Sequence, residues 1–204
     1  MLFCAVGSAS PTYYGPSGLA NVPGPGAMRM GDYNLFYNLI SADRSLSFFG
    51  GNIGLGIATP IEVGATIVKP ERGSSNTLLN AKVAFTTGKE RPIDVAVGVI
   101  DVTDERDRVI YLVGGKVLNA NSAGKGGIPA IYGMAGLGSS NSVLDGLFFG
   151  VSANLPEGLN AHVEYDAEDV NLGVNYPIGE GLNLRADLVS NDFGFGVCYT
   201  LPKK

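Results

Sequence analysis

From Leu159 to Leu201 the chain alternates apolar and polar positions with a period of two, in four runs separated by short turn sequences. That period belongs to strands whose two faces meet different surroundings. One face carries Val163, Tyr165, Leu172, Tyr176, Leu184, Phe193, Phe195 and Tyr199. The other carries His162, Glu164, Asn171, Asn175, Asn183, Arg185 and Asp187, with glycines between them. Folded as successive hairpins, like faces meet, which is the condition for a stable register. The expected outward rows are Val163, Leu172, Ala186, Phe195 and Leu159, Tyr176, Leu182, Tyr199. The expected inward rows are His162, Gly173, Arg185, Gly196 and Glu164, Asn171, Asp187, Gly194.

Similar alternation runs back to residue 32. Strands are expected at 32–42, 46–58, 61–69, 79–86, 93–99, 109–118, 127–138 and 143–154. Gly50-Gly51 reads as a bulge. The strand from Val109 has apolar residues on both faces, so its orientation stays open. TDERDR at Thr103–Arg108 reads as a solvated hairpin tip, and 119–127 as the longest loop. A weak repeat of 23 residues separates GVSANLPEGLNA at Gly150, GVNYPIGEGLNL at Gly173 and GVCYTLP at Gly196. GIATPIEVG at Gly56 looks like a fourth copy. No helical period interrupts the meander.

These elements predict an all-β fold: a closed antiparallel up-and-down transmembrane barrel of about twelve strands, within a range of roughly ten to fourteen. The barrel is expected over 32–202. Residues 11–31, rich in Gly and Pro, exclude helix or central strand and suit a linker or a plug folded into the lumen. Residues 1–10 resemble the end of a secretory signal, although the basic start of one is missing. Cys4 also admits a lipidation reading.

Composition sharpens this picture. Charged residues are only 16%, Gly is 30 of 204 residues, and mean hydropathy is slightly positive. Yet no apolar run reaches the roughly 18 residues of a spanning helix. A net charge of −5 with no basic cluster excludes nucleic-acid binding. The two cysteines make no disulfide framework or metal site. The absence of Trp departs from the usual interfacial girdle. No cofactor is implied.

The chemistry-bearing candidates are lumen residues: His162, Glu164, Asn171, Asn175, Asn183, Arg185, Asp187, Lys82 and Asp94. Tyr165, Tyr176, Phe193, Phe195 and Tyr199 are expected to face lipid or form girdles. His162 is the sole histidine, and its expected neighbours suit a polar lumen, not general-base work. GLGSSNS at Gly136 lacks the strand–turn–helix setting of a phosphate loop. Asp101, Asp104, Glu105 and Asp107 suit a charged turn better than a calcium site. No enzyme activity is expected.

YGPSGLANVPGPGAMRMGDYNLFYN (Tyr14–Asn38) and LNAHVEYDAEDVNLGVNYPIGEGLNLRADL (Leu159–Leu188) resemble the two ends of exopolysaccharide-associated outer-membrane barrels of the YjbH type. The resemblance implies a bacterial outer-membrane barrel, structural or a narrow porin-like channel, linked to polysaccharide export. Its implied partners are outer-membrane lipids, other envelope proteins or polysaccharide. It implies no catalytic residue. The chain departs from the usual pattern by ending in LPKK instead of an aromatic residue. A soluble barrel that binds an apolar ligand is the alternative, and it would need the apolar face inside.

Overall fold

The computed structural model describes residues 10–43, 45–87, 93–119, 130–139 and 144–201. Residues 1–9, 44, 88–92, 120–129, 140–143 and 202–204, and with them most of the expected signal remnant 1–10 and of the expected loop 119–127, therefore lie outside the described residues. Twelve strands form one closed antiparallel barrel in simple meander order. They are β1 (Tyr33–Ser41), β2 (Leu46–Leu55), β3 (Ile61–Pro70), β4 (Asn76–Thr87), β5 (Ile93–Ile100) and β6 (Val109–Asn119). Then come β7 (Ala130–Ser139), β8 (Gly146–Asn154), β9 (Asn160–Tyr165), β10 (Val170–Gly179), β11 (Leu182–Val189) and β12 (Asp192–Leu201). A single 3₁₀ turn at Pro156–Gly158 is the one helical element among the described residues. β1 closes the sheet against β12, from Tyr33 opposite Leu201 to Ser41 opposite Phe193. Closure leaves no edge, so every strand finds ladder partners on both sides.

Each strand turns its apolar set outward. Leu35, Phe49, Leu112, Leu147, Phe149 and Phe195 are each about half exposed, and every strand contributes to this belt. The soluble-carrier alternative, which puts the apolar face inside, is thereby overturned.

Three sequence readings change. First, Gly50-Gly51 is no bulge: β2 pairs without a break to β1 and β3 through both glycines. Phe48 therefore points inward and Phe49 outward. Gly50 is needed because the Phe36 ring lies where a side chain would go; a Cβ there would sit 2.6 Å from Phe36 Cζ. Second, the β10–β11 register is shifted by two residues. Leu172 faces Leu188 and Gly173 faces Asp187, instead of Ala186 and Arg185. β10 continues to Gly179, so the five-residue turn shrinks to Glu180-Gly181. The ladder absorbs Pro177, which has no N–H to donate, by an irregularity between Pro177 and Gly179. An even shift preserves the faces but re-pairs the inward side chains. Third, Gly56 is no fourth repeat copy. Gly150, Gly173 and Gly196 sit inside β8, β10 and β12, whereas Gly56 lies in the β2–β3 turn at φ +81°.

The strand with two apolar faces also resolves. Val109, Tyr111 and Val113 point in; Ile110 and Leu112 point out. They join Ile40, Phe48, Val68, Leu78, Ile100 and Phe148 in an apolar core inside the barrel. This core fills the end where β1 runs out and β12 begins, the far rim. The other end, where Tyr33 and Leu201 meet, is the terminal rim.

Candidate functional site: an occupied lumen and a vestibule

Twelve strands enclose more space than their own side chains can fill. Residues 10–28 occupy it, nearly all of them buried. The segment folds on itself through short bridges at Pro11–Ser17 and Gly18–Pro23. It has no strand partner, so its backbone polar groups must find others. Two clusters on the wall supply them.

On β9–β11, the Glu164 carboxylate accepts the backbone N–H groups of Ala20 (3.0 Å), Asn21 (2.7 Å) and Val22 (3.2 Å). Asn171 Nδ2 donates to the same carboxylate at 3.1 Å. Arg185 serves the opposite polarity. Its Nη1 donates to the Pro11 carbonyl at 2.6 Å, Nη2 to the Leu19 carbonyl, and Nε to Asp187 Oδ2 at 2.5 Å. Its guanidinium lies 5.0 Å from the Tyr13 ring centroid, and the Tyr13 hydroxyl donates to Asp187 at 2.9 Å. His162 Nε2 is 3.4 Å from Asp187 Oδ1. This proximity follows from the shifted register: His162, Gly173 and Asp187 form one row. A Cβ on Gly173 would lie 1.9 Å from Asp187 Oδ1 and 2.5 Å from the His162 ring, so only glycine lets the two side chains meet.

On β3–β4, Glu62 and Lys82 face each other directly at 3.5 Å. Glu62 accepts from Ser17 N at 2.7 Å, Ser17 Oγ at 2.6 Å and Met28 N at 3.1 Å. Lys82 Nζ donates to the Ser17 carbonyl at 2.9 Å. Asn52 and Asn80 donate to the carbonyls of Gly15 and Tyr14, both at 2.8 Å. Buried charges of this kind persist only when paired and hydrogen-bonded. Here the partners of the carboxylates are the N–H groups of the inserted segment. Sequence reasoning missed Glu62, Asn52, Asn80 and the Tyr13–Ser17 contacts. Glu62 was legible in principle, as the acidic residue on the inward face of β3 that mirrors Lys82.

The remaining candidates sit apart from these clusters. Asp94, Asn175 and Asn183 line a cavity of about 350 Å³ at the terminal rim, together with Tyr132, Ser152, Asn154 and Asn160. The Tyr132 hydroxyl donates to Asp94 at 3.2 Å. On the outer face, Tyr176 and Tyr199 lie toward the terminal rim, while Tyr165 and Phe193 lie toward the far rim beside the 166–169 and 190–191 turns. The Tyr165 ring packs on Phe149 at 5.2 Å between centroids, and Phe195 is outward on β12.

No family model and no curated protein sequence matches this chain. Among solved structures, the KdgM porin matches with a TM-score of 0.57 and 10% identity, over 84% of this chain and 99% of that one. The KdgM porin in complex with disordered oligogalacturonate gives 0.56 and 9% over the same shares. At that identity, what is shared is the barrel fold.

Proposed function

We propose that the chain is a bacterial outer-membrane barrel of porin-like architecture, held closed by its own residues 10–31 and handling polysaccharide at the envelope. The carrying observation is the pairing of an unbroken apolar belt outside with a lumen occupied by a segment anchored on buried charges. A closed sheet with this belt satisfies all its backbone groups and leaves only apolar side chains to the lipid. The polysaccharide link is supported by the resemblance of Tyr14–Asn38 and Leu159–Leu188 to exopolysaccharide-associated barrels, and by the oligogalacturonate in the KdgM complex. The transport role is a narrow, gated passage. A purely structural barrel is the second reading, favoured by the Phe48–Tyr111–Phe148 core at the far rim.

Two measurements test this. An integral barrel stays in the membrane fraction through high salt and alkaline carbonate; release into the supernatant overturns the membrane assignment. Deleting residues 11–27 and recording single-channel currents in planar bilayers then separates the two roles. A large rise in conductance supports the gated passage. Unchanged conductance in a barrel confirmed as folded leaves the structural role.

A further inference from the structure

The cavity at the terminal rim has a lining unlike the rest of the lumen. Among its described lining residues one is an acid, Asp94, and none is a lysine, arginine or histidine. Carboxamides are the most numerous of its polar side chains, four beside three serines, Asp94 and Tyr132. Asn154, Asn160 and Asn175 stand in one cross-strand row on β8, β9 and β10, and Asn183 joins them from β11. Asn160 Nδ2 donates to Asn154 Oδ1 at 2.8 Å, which orients both amides and leaves further donors and acceptors facing the cavity. Tyr132 adds an aromatic ring to the lining. The row continues into Arg185 on β11, but that guanidinium is committed to Pro11, Leu19 and Asp187. Lys82, likewise, is committed to Ser17.

We infer that this vestibule binds a neutral oligosaccharide, which deepens the polysaccharide reading and rests on it. A carboxamide offers a donor and an acceptor side by side, which matches a sugar hydroxyl that does both. A uronic acid or a phosphorylated sugar would need cationic partners, and the described lining offers none. At about 350 Å³ the cavity lies within the range of about 300–1,000 Å³ that small-molecule sites occupy. It opens at the terminal rim, next to Ser10, Ser17 and Gly24–Gly26 of the inserted segment. A bound glycan would therefore touch the segment that closes the lumen.

The test uses the full chain in a zwitterionic detergent, because sugar-headed detergents would compete. It is applied to an array of neutral glucan, mannan and galactan oligomers beside galacturonate and alginate oligomers. Saturable binding to neutral members is expected, with the acidic members at least ten-fold weaker. The double variant Asn160→Asp, Asn175→Asp keeps side-chain volume but replaces two donors with charge, and it should weaken neutral binding at least ten-fold. The same change at Asn76, on the far rim, should leave affinity unaltered. Absence of binding to every neutral oligomer, a preference for the acidic ones, or an unaffected double variant each overturns the inference. Loss of folding in the double variant is checked by its heat-modified gel mobility, and single Asn175→Ser then replaces it. Carbonate extraction of the parent is scored separately. A membrane-retained barrel that binds no neutral glycan sinks this inference alone, and a released protein sinks the membrane reading.

Discussion

Gly194 shows how far one missing side chain reaches. It lies opposite Asp187 on the inner wall, and a Cβ there would sit 1.9 Å from the Tyr13 hydroxyl oxygen. Gly194→Ala should therefore push Tyr13 off Asp187 while leaving the strand pairing intact. The expected loss is about 1–3 kcal/mol, the usual range for overpacking. Limited proteolysis should cut the 10–31 segment faster than in the parent, with the barrel surviving. Equal cleavage rates would show that Tyr13 does not hold the segment. On the outer wall the same scale gives the opposite sensitivity. Val174 is exposed on β10 and pairs with Ala161 and Ala186. Val174→Arg should cost roughly 2–4 kcal/mol of folding stability in lipid vesicles if it stands near the midplane. A variant as stable as the parent in denaturant titration would place this face outside the hydrocarbon.

At the scale of elements, the β5–β6 turn is organised by one carboxylate. Asp101 accepts the backbone N–H groups of Glu105 (3.2 Å), Arg106 (2.7 Å) and Asp107 (3.1 Å), and the Thr103 hydroxyl at 3.0 Å. Its own backbone, like that of Asp104, is left-handed at φ near 58–59°, a conformation that aspartate tolerates better than most residues. Burial pushes the Asp101 carboxyl up, but these donors outweigh it and hold the pKa below the usual carboxylate value. A depressed pKa means the contribution is complete above the unfolded value of about 3.9 and is lost as pH falls through the lower folded value. Amide exchange at Arg106 and Asp107 should stay slow down to about pH 4 and accelerate below it. Asp101→Asn should abolish that acid step. If the parent shows no acceleration down to about pH 2, the carboxylate does not organise the turn.

For the whole molecule, the decisive fact is that both ends of the inserted segment reach the same rim. Ser10 lines the terminal-rim cavity, and Gly31 bonds to Gly54 near the end of β2. The segment is therefore a hairpin-like insert that can leave without being threaded through the wall. Apart from the Gly31–Gly54 bond at its end, its hydrogen bonds to the wall go to side chains and take no place in the strand ladder. A synthetic peptide of residues 10–31, added to the barrel lacking 11–27, should restore the parent's conductance from one side of the bilayer only. Block from both sides, or from neither, would mean the far-rim core, not the segment, sets the passage.

The sequence by itself determined that there are about twelve strands, their order and which way most of them face, the strand from Val109 excepted. Those follow from a local period of two and from short turns, and β1 meeting β12 follows from giving no strand an open edge. It also indicated that the Gly/Pro-rich stretch before β1 has no strand pattern of its own. The expected inward pairs across β9–β10 and β11–β12 are observed, but tertiary structure alone decided the pairing across β10–β11. A turn shortened to Glu180-Gly181, together with the irregularity after Pro177, moved Asp187 from Glu164's row to His162's, an even shift to which the hydrophobic pattern is blind. It alone decided that Phe48, Tyr111 and Phe148 form a core inside the barrel. Alternation cannot identify the inside when both faces are apolar. And it alone turned Glu62, Lys82, Glu164 and Arg185 from lumen charges into anchors, because their partners are backbone groups of residues up to 174 positions away. Backbone N–H and C=O groups are the same at every residue, so no sequence pattern marks which ones a carboxylate will hold.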